Sequence, residues 1–226
     1  MAETPRSDLP VRTASAIIMI VIVALALWAG GAVFSLFVAA GSVLLVWEWK
    51  GLVDRFPDDR STRLTWLAFG ICYVALAAIA IVTLNERGLF LPLLAAVIAT
   101  DIGAYFSGRT FGGPKIAPSI SPSKTWAGLF GGMVAAALTS VFALRFILHD
   151  ESYFLALSIA FLAGGALVAV VAQAGDFFES WVKRRAVAKD SGNLIPGHGG
   201  LFDRVDGLLL AALVAGGLYW IGNPML

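Results

Sequence analysis

The chain has 226 residues, 59% of them hydrophobic and only 14% charged, with a formal net charge of +1. Soluble proteins average roughly 45–50% apolar and about 25% charged residues, so this composition excludes an ordinary soluble domain and points to an integral membrane protein. A single cysteine, Cys72, excludes an intramolecular disulfide and a thiolate metal cluster.

In chain order, residues 1–12 read as a short polar tail. Seven continuously apolar runs follow, at 14–29, 31–49, 64–84, 89–107, 126–148, 153–176 and 205–222. Each approaches the roughly 20 residues a spanning helix needs, and none alternates as a barrel strand would. The expected fold class is therefore all-α, a polytopic membrane protein of about seven transmembrane helices forming one integral membrane domain over 1–226. The first run, preceded by Arg6 and Arg12, also has the outline of a cleaved signal peptide. The second run follows after almost no loop, which favours a helical hairpin.

With the N-terminus cytoplasmic, the loops 50–63, 108–125 and about 177–204 share its side. That side then carries every Lys and Arg of the 16 except Arg87 and Arg145, and basic residues in short loops set orientation. Loop 50–63, with Asp54, Pro57, Asp58 and Asp59, reads as a solvated connection. Loop 108–125 holds Gly112-Gly113-Pro114-Lys115 and then Ser121-Pro122-Ser123-Lys124-Thr125 just before a span. Hydroxyls and a lysine at a helix N-terminus suit either an anion or a plain N-cap.

Polar residues concentrate in Ser180 to Asp206, where eight of the 31 charged residues occupy 27 positions. Asp101, Asp176, Glu179 and Asp206 lie at the cytoplasmic ends of apolar runs, where each alone suits an interfacial carboxylate paired with a nearby Lys or Arg, and the four together favour a site. If the sixth helix continues past Ala172, then Asp176, Glu179, Ser180 and Lys183 share one face. If the last helix begins near Leu201, Asp203 and Asp206 also share one. Carboxylates from two helix ends, with two histidines in the chain, suit a hard, oxygen-ligated cation such as Mg²⁺ rather than zinc. Between them, Gly192 to Gly200 is either a glycine hinge or a loop whose backbone N–H groups approach a phosphate, with His198 and the rim residues Lys189 and Arg204. Two anion sites and a divalent cation at a membrane surface suggest phosphoryl or nucleotidyl transfer to a lipid.

These residues resemble the phosphatidate cytidylyltransferases. The resemblance rests on Ser180, Lys183-Arg184, Lys189-Asp190, Gly192, Pro196-Gly197-His198-Gly199-Gly200, Asp203-Arg204 and Asp206. Gly175-Asp176, Glu179, the stretch from Asp101 to Gly108, and Ser121 to Trp126 extend it. The active-site half then covers about 95–210. The resemblance implies transfer of CMP from CTP to phosphatidate, giving CDP-diacylglycerol and pyrophosphate for phospholipid biosynthesis, at an inner (plasma) membrane with the active site cytoplasmic.

It also implies Mg²⁺, with a second cation left open, held by Asp176 and Asp203 with Asp206 as a weaker third. Lys183, Arg184, Lys189 and Arg204 are expected to hold phosphates. His198 would orient or bind near the Gly199-Gly200 backbone, and Ser180, Asp190 and Asp101 would complete the substrate contacts. Ser121, Ser123, Lys124 and Thr125 would form the second anion contact. The expected partners are CTP, phosphatidate and the bilayer, with a homodimer left open and no nucleic acid. Two departures stand out: Ala127 occupies a position where the family carries Glu, and the N-terminal part is short. A related CTP-dependent lipid cytidylyltransferase or polyprenol kinase, and more remotely a small transporter, are the competing readings.

Overall fold

The computed structural model describes residues 9–147 and 154–223. Its helices are α1 (Leu9–Ala29), α2 (Gly31–Val53), α3 (Arg60–Glu86), α4 (Phe90–Phe111), α5 (Trp126–Ile147), α6 (Phe154–Arg185) and α7 (Phe202–Gly222). All seven are long and apolar enough to cross a membrane, and large apolar side chains such as Ile18, Leu36, Phe142 and Ile159 point outward, as lipid-facing positions require. The chain is an integral, polytopic helical membrane protein.

Each expected span has its helix, but the connections are shorter and more ordered than the sequence suggested. Arg6 and the rest of 1–8 lie outside the described residues, as do 148 and 153 at the expected span ends. Residues 9–12 of the expected tail already belong to α1. The α1–α2 joint is a break at Gly30 and Gly31, whose φ angles of 59° and 45° lie in the left-handed region that side chains avoid.

Loop 50–63 shrinks to 54–59. It is not simply solvated, because Phe56 is buried and Asp58 turns inward to Arg185. Asp59 caps α3 by accepting from the Ser61 amide at 3.0 Å and the Thr62 hydroxyl at 2.6 Å. The Thr62 bond, followed by the Ser61 amide, holds the Asp59 carboxyl below its usual range.

Loop 108–125 is not irregular. It folds into an antiparallel hairpin, β1 (Lys115–Ala117) with β2 (Ser121–Thr125), the only strands among the described residues. Tying it down, the Trp126 amide donates to the Pro114 carbonyl, and the Thr125 hydroxyl accepts from the Gly128 amide at 3.1 Å, capping α5.

Helix α6 has 32 residues, about 48 Å at 1.5 Å per residue, against a hydrocarbon core of about 30 Å. The excess carries Asp176 to Arg185 past the apolar layer, so the loop expected at 177–204 narrows to 186–201. Small residues let α4, α5 and α6 approach closely: a Cβ on Gly131 would lie 1.8 Å from Ser107 Oγ, and one on Gly165 would lie 2.6 Å from the Ala136 carbonyl. At the polar end an aromatic cluster fixes α2, α3, α6 and α7. Trp49 stacks on Phe178, meets Phe202 edge-on and donates from its indole nitrogen to the Trp66 carbonyl at 2.9 Å.

Candidate active site

Helices α6 and α7 cross where glycine faces glycine. A Cβ on Gly175 would meet the Asp206 carbonyl at 2.6 Å, and one on Gly207 would meet Asp176 Oδ1 at 2.9 Å. This crossing brings the Asp176 carboxylate against α7 at Gly207, next to Asp206, near enough for the two acids to interact electrostatically. Lys124, delivered by β2, pairs with Asp176 and also feels Asp101 and Asp206. Burial opposes the Lys124 charge, but the attraction and hydrogen bond of Asp176, with Asp101 and Asp206 adding to them, together outweigh it, so its pKa stands above the ordinary lysine value. One ammonium thus pairs with one carboxylate and lies in the field of two more, from three helices in all.

One turn further along both helices lies a second array. Lys183 Nζ is 2.8 Å from Glu179 Oε2 and 2.7 Å from Asp203 Oδ1. Asp203 Oδ2 accepts from the Ser191 amide at 2.9 Å, the Ser191 hydroxyl at 3.0 Å and the Gly200 amide at 2.8 Å. Glu48 of α2 completes the array, accepting from the amides of Leu201 at 2.9 Å and Phe202 at 2.8 Å and from the Ser191 hydroxyl at 3.2 Å. The Gly-rich loop does present backbone N–H groups to anions, as its composition suggested. Those at Gly200, Leu201 and Phe202 serve the protein's own carboxylates.

The other side of this loop opens a cleft of about 590 Å³ lined by Arg12, Lys189, Asp190, Asn193, His198 and Arg204, among others. Its floor is a tight turn in which the Ile195 amide donates to the Gly199 carbonyl and the His198 amide to the Ile195 carbonyl, both at 2.9 Å. Gly197 at φ 74° and Gly199 at φ 85° meet the left-handed backbone this turn needs. Arg204 donates to the His198 carbonyl at 2.6 Å, and His198 Nδ1 is buried with no hydrogen-bond partner in the protein. Three permanent cations against one carboxylate make the cleft suited to a polyphosphate. Cleft and carboxylate array adjoin, since a Cβ on Gly199 would lie 2.9 Å from Asp203 Oδ2.

A profile of the cytidylyltransferase family matches residues 59–221. The chain belongs to the cytidylyltransferase family. Among its relatives, a phosphatidate cytidylyltransferase of Brucella suis biovar 1 (strain 1330) is 41% identical over 192 residues, covering 82% of this chain and 64% of the relative. A phosphatidate cytidylyltransferase of Rickettsia conorii (strain Malish 7) is 31% identical over 220 residues, covering 94% and 91%. One from Pseudomonas aeruginosa (strain PAO1) is 38% identical over 193 residues, covering 80% and 70%. The chain spans just under two thirds of the length of the Brucella relative it matches.

Within the family match, the residues singled out from sequence fall into three groups. Lys189, Asp190, His198, Gly199 and Arg204 line the cleft. Asp101, Lys124, Asp176 and Asp206 form the first array, while Lys183, Asp203 and Gly200 form the second, with Ser180 on α6 between Glu179 and Lys183.

The expected second anion contact is not gathered in this way. Ser121 and Thr125 are buried and Ser123 is exposed. The Thr125 hydroxyl is engaged as a cap and the Lys124 ammonium as a counterion. Arg184 turns from the cleft to the Ile120 carbonyl at 3.4 Å. Ala127 sits half-buried in the first turn of α5.

Sequence reading missed Arg12 and Glu48, both ahead of the family match. Glu48 carried a signal, a carboxylate inside an apolar run between Trp47 and Trp49. Arg12 carried none beyond its charge.

Proposed function

We propose that the protein transfers CMP from CTP to phosphatidate, releasing pyrophosphate and forming CDP-diacylglycerol. The observation that carries this reading is the cationic cleft of Arg12, Lys189 and Arg204 abutting the carboxylate arrays of α6 and α7 at the polar end of a membrane bundle. In this reading the cleft holds the nucleotide polyphosphate and the lipid phosphate enters from the bilayer side. An oxygen of that phosphate attacks the α-phosphorus as the bond to pyrophosphate breaks. Such a transfer depends mainly on positioning and charge neutralisation. Arg12, Lys189 and Arg204 neutralise charge, and His198 orients a phosphate oxygen. The basic side carries all Lys and Arg but Arg87 and Arg145, which favours a cytoplasmic site at an inner membrane.

The donor chemistry fits Mg²⁺. The carboxylates of Asp176, Asp203 and Asp206 are hard oxygen ligands, and ammonium groups already stand against Asp176 and Asp203 where a cation would pair. No cluster of three acidic, His or Cys side chains forms a ready cage among the described residues. Mg²⁺ is commonly held by only one or two carboxylates plus substrate phosphates, so Asp176 and Asp206, adjacent at the helix crossing, would hold it most directly. Asp203 would join on releasing Lys183. When bound, the ion offsets charge on the transferring phosphate.

Purified protein in phosphatidate-containing micelles should release pyrophosphate from CTP only with Mg²⁺, and Asp176→Asn should lower kcat at least 100-fold. Transfer to a free lipid alcohol, with CDP as the product, would refute the reading. Asp176→Asn with full activity would remove the metal assignment.

A further inference from the structure

We infer that Glu48 is the positioning residue of the signature loop, a carboxylate from α2 that caps α7 from a distance and so fixes the loop that lines the nucleotide cleft. The first turn of any helix leaves backbone N–H groups without intrahelical acceptors, usually met by a side chain at the N-cap. At α7 the N-cap is Leu201, which has no side-chain acceptor. Glu48, 153 residues away in sequence, takes its place through the Leu201 and Phe202 amides, while Asp203 takes the Gly200 amide.

The surroundings are shaped for this carboxylate. Glu48 is 2% exposed. A Cβ on Gly192 would lie 2.5 Å from Glu48 Oε1, and one on Gly200 would lie 2.7 Å from the same atom and 2.0 Å from Ser191 Oγ. Two glycines of the signature thus leave room for Glu48. This gives them a packing role beside any role in phosphate approach.

The Ser191 hydroxyl, within reach of both Glu48 and Asp203, joins the cap to the second array. A continuous polar path therefore runs from α2 through Ser191, Asp203 and Lys183 to Glu179 on α6. Glu48 itself lines a smaller cavity of about 340 Å³ behind the loop, with Trp47, Arg55, Ser191 and Gly192. The larger cleft opens on the loop's other side. Glu48 acts through the loop: its hydrogen bonds go to Ser191, Leu201 and Phe202, none of which lines the larger cleft.

The kinetic part of this inference rests on the proposed cytidylyl transfer; the structural part does not. In Glu48→Gln, one of the two backbone amides faces an NH₂ group in place of an acceptor. Hydrogen exchange at the Leu201 and Phe202 amides should accelerate at least tenfold. With the cleft cations intact, kcat should fall at least tenfold while the KM for CTP changes less than threefold. Glu48→Asp, which keeps the charge, should recover part of both effects.

If the Gln variant does not fold, Gly192→Ala, which drives a methyl into Glu48 without altering any charge, takes the same two measurements. Unchanged exchange at Leu201 and Phe202 overturns the inference whatever the activity, as does accelerated exchange with kcat within twofold of wild type. If the wild type does not turn over CTP and phosphatidate, the functional reading fails, and the exchange result alone decides whether Glu48 caps α7.

Discussion

Replacing Asp203 by Asn tests the second array most directly. The carboxylate uses both oxygens: Oδ1 holds Lys183 at 2.7 Å, and Oδ2 accepts from Ser191 N, Ser191 Oγ and Gly200 N. A carboxamide has one acceptor oxygen. Turned toward the loop, it leaves an NH₂ group against the Lys183 ammonium; turned the other way, it sets NH₂ against two backbone donors. The side chains of Lys183 and Asp203 are only 18% and 7% exposed, a regime in which breaking one partner costs about 3–5 kcal/mol. Glu179 remains 2.8 Å from Lys183, so the low end, about 3 kcal/mol, applies. That is roughly a hundredfold in the folding equilibrium. Reversible unfolding in mixed micelles would read it through tryptophan fluorescence, with Trp49 packed edge-on against Phe202 beside the substituted residue. Adding Lys183→Met should cost less than the sum of the single changes, because the stranded ammonium is gone. A loss below about 1 kcal/mol, or strict additivity with Lys183→Met, would refute the description of Asp203 as a saturated acceptor.

Lys124, its pKa raised by Asp176, gives a pH prediction with a definite sign. A raised folded-state value means the pair's contribution is fully present below the ordinary lysine value of 10.5 and is lost as pH rises through the higher folded value. The stabilities of wild type and Lys124→Met should therefore run parallel from about pH 7 to 10 and converge only above; convergence near pH 8 would contradict the pairing. Arg185 makes a fork to Asp58, donating from Nη2 to Oδ1 at 2.7 Å and from Nε to Oδ2 at 3.1 Å, and lies 5.3–5.7 Å from the ring centres of Phe56, Trp66 and Trp181. Lysine reproduces neither the fork nor the stacking, so Arg185→Lys should cost about 1–2 kcal/mol. Lys50→Ala, which breaks a pair 57% and 58% exposed, should cost at most a few tenths; equal effects would argue against the aromatic cage. Arg12→Ala, removing one cleft cation, should raise the KM for CTP about tenfold, the weight of one charge-assisted contact, with kcat nearly unchanged. An unaltered KM at low salt would take α1 out of the proposed nucleotide cleft.

The helices were legible because lipid as solvent leaves a single strong signal: long apolar runs must pair their backbone groups internally. The same signal says little about where a helix stops once it leaves the lipid. Helix α6 was readable to about residue 176 by apolarity, and its extension to Arg185 is paid for by polar contacts, Lys183 with Glu179 and Arg185 with Asp58. Hairpin 115–125 was missed for a related reason. Its five-residue strand SPSKT lacks the alternating apolar pattern of a strand, and it is held by β1 and by caps to α5.

The site was legible where chemistry is written in residue types, as in the acids at 176, 203 and 206 and the cations at 124, 183, 189 and 204. What the sequence hides is who answers whom. A glycine-rich loop before a helix reads as a cradle for an external phosphate, and its amides are indeed turned toward anions, yet the nearest ones belong to Glu48 and Asp203. Internal anions there leave α7 capped and the loop braced from behind. Its exposed side, with His198, Lys189 and Arg204, then opens toward the cleft. Rigidity supplied by the protein's own carboxylates is what the proposed transfer, dominated by positioning, requires, since a loop whose amides waited for substrate would have to be ordered at each turnover. Glu48 lies in a run that otherwise reads only as a membrane span, and a carboxylate buried in such a run persists when something depends on it.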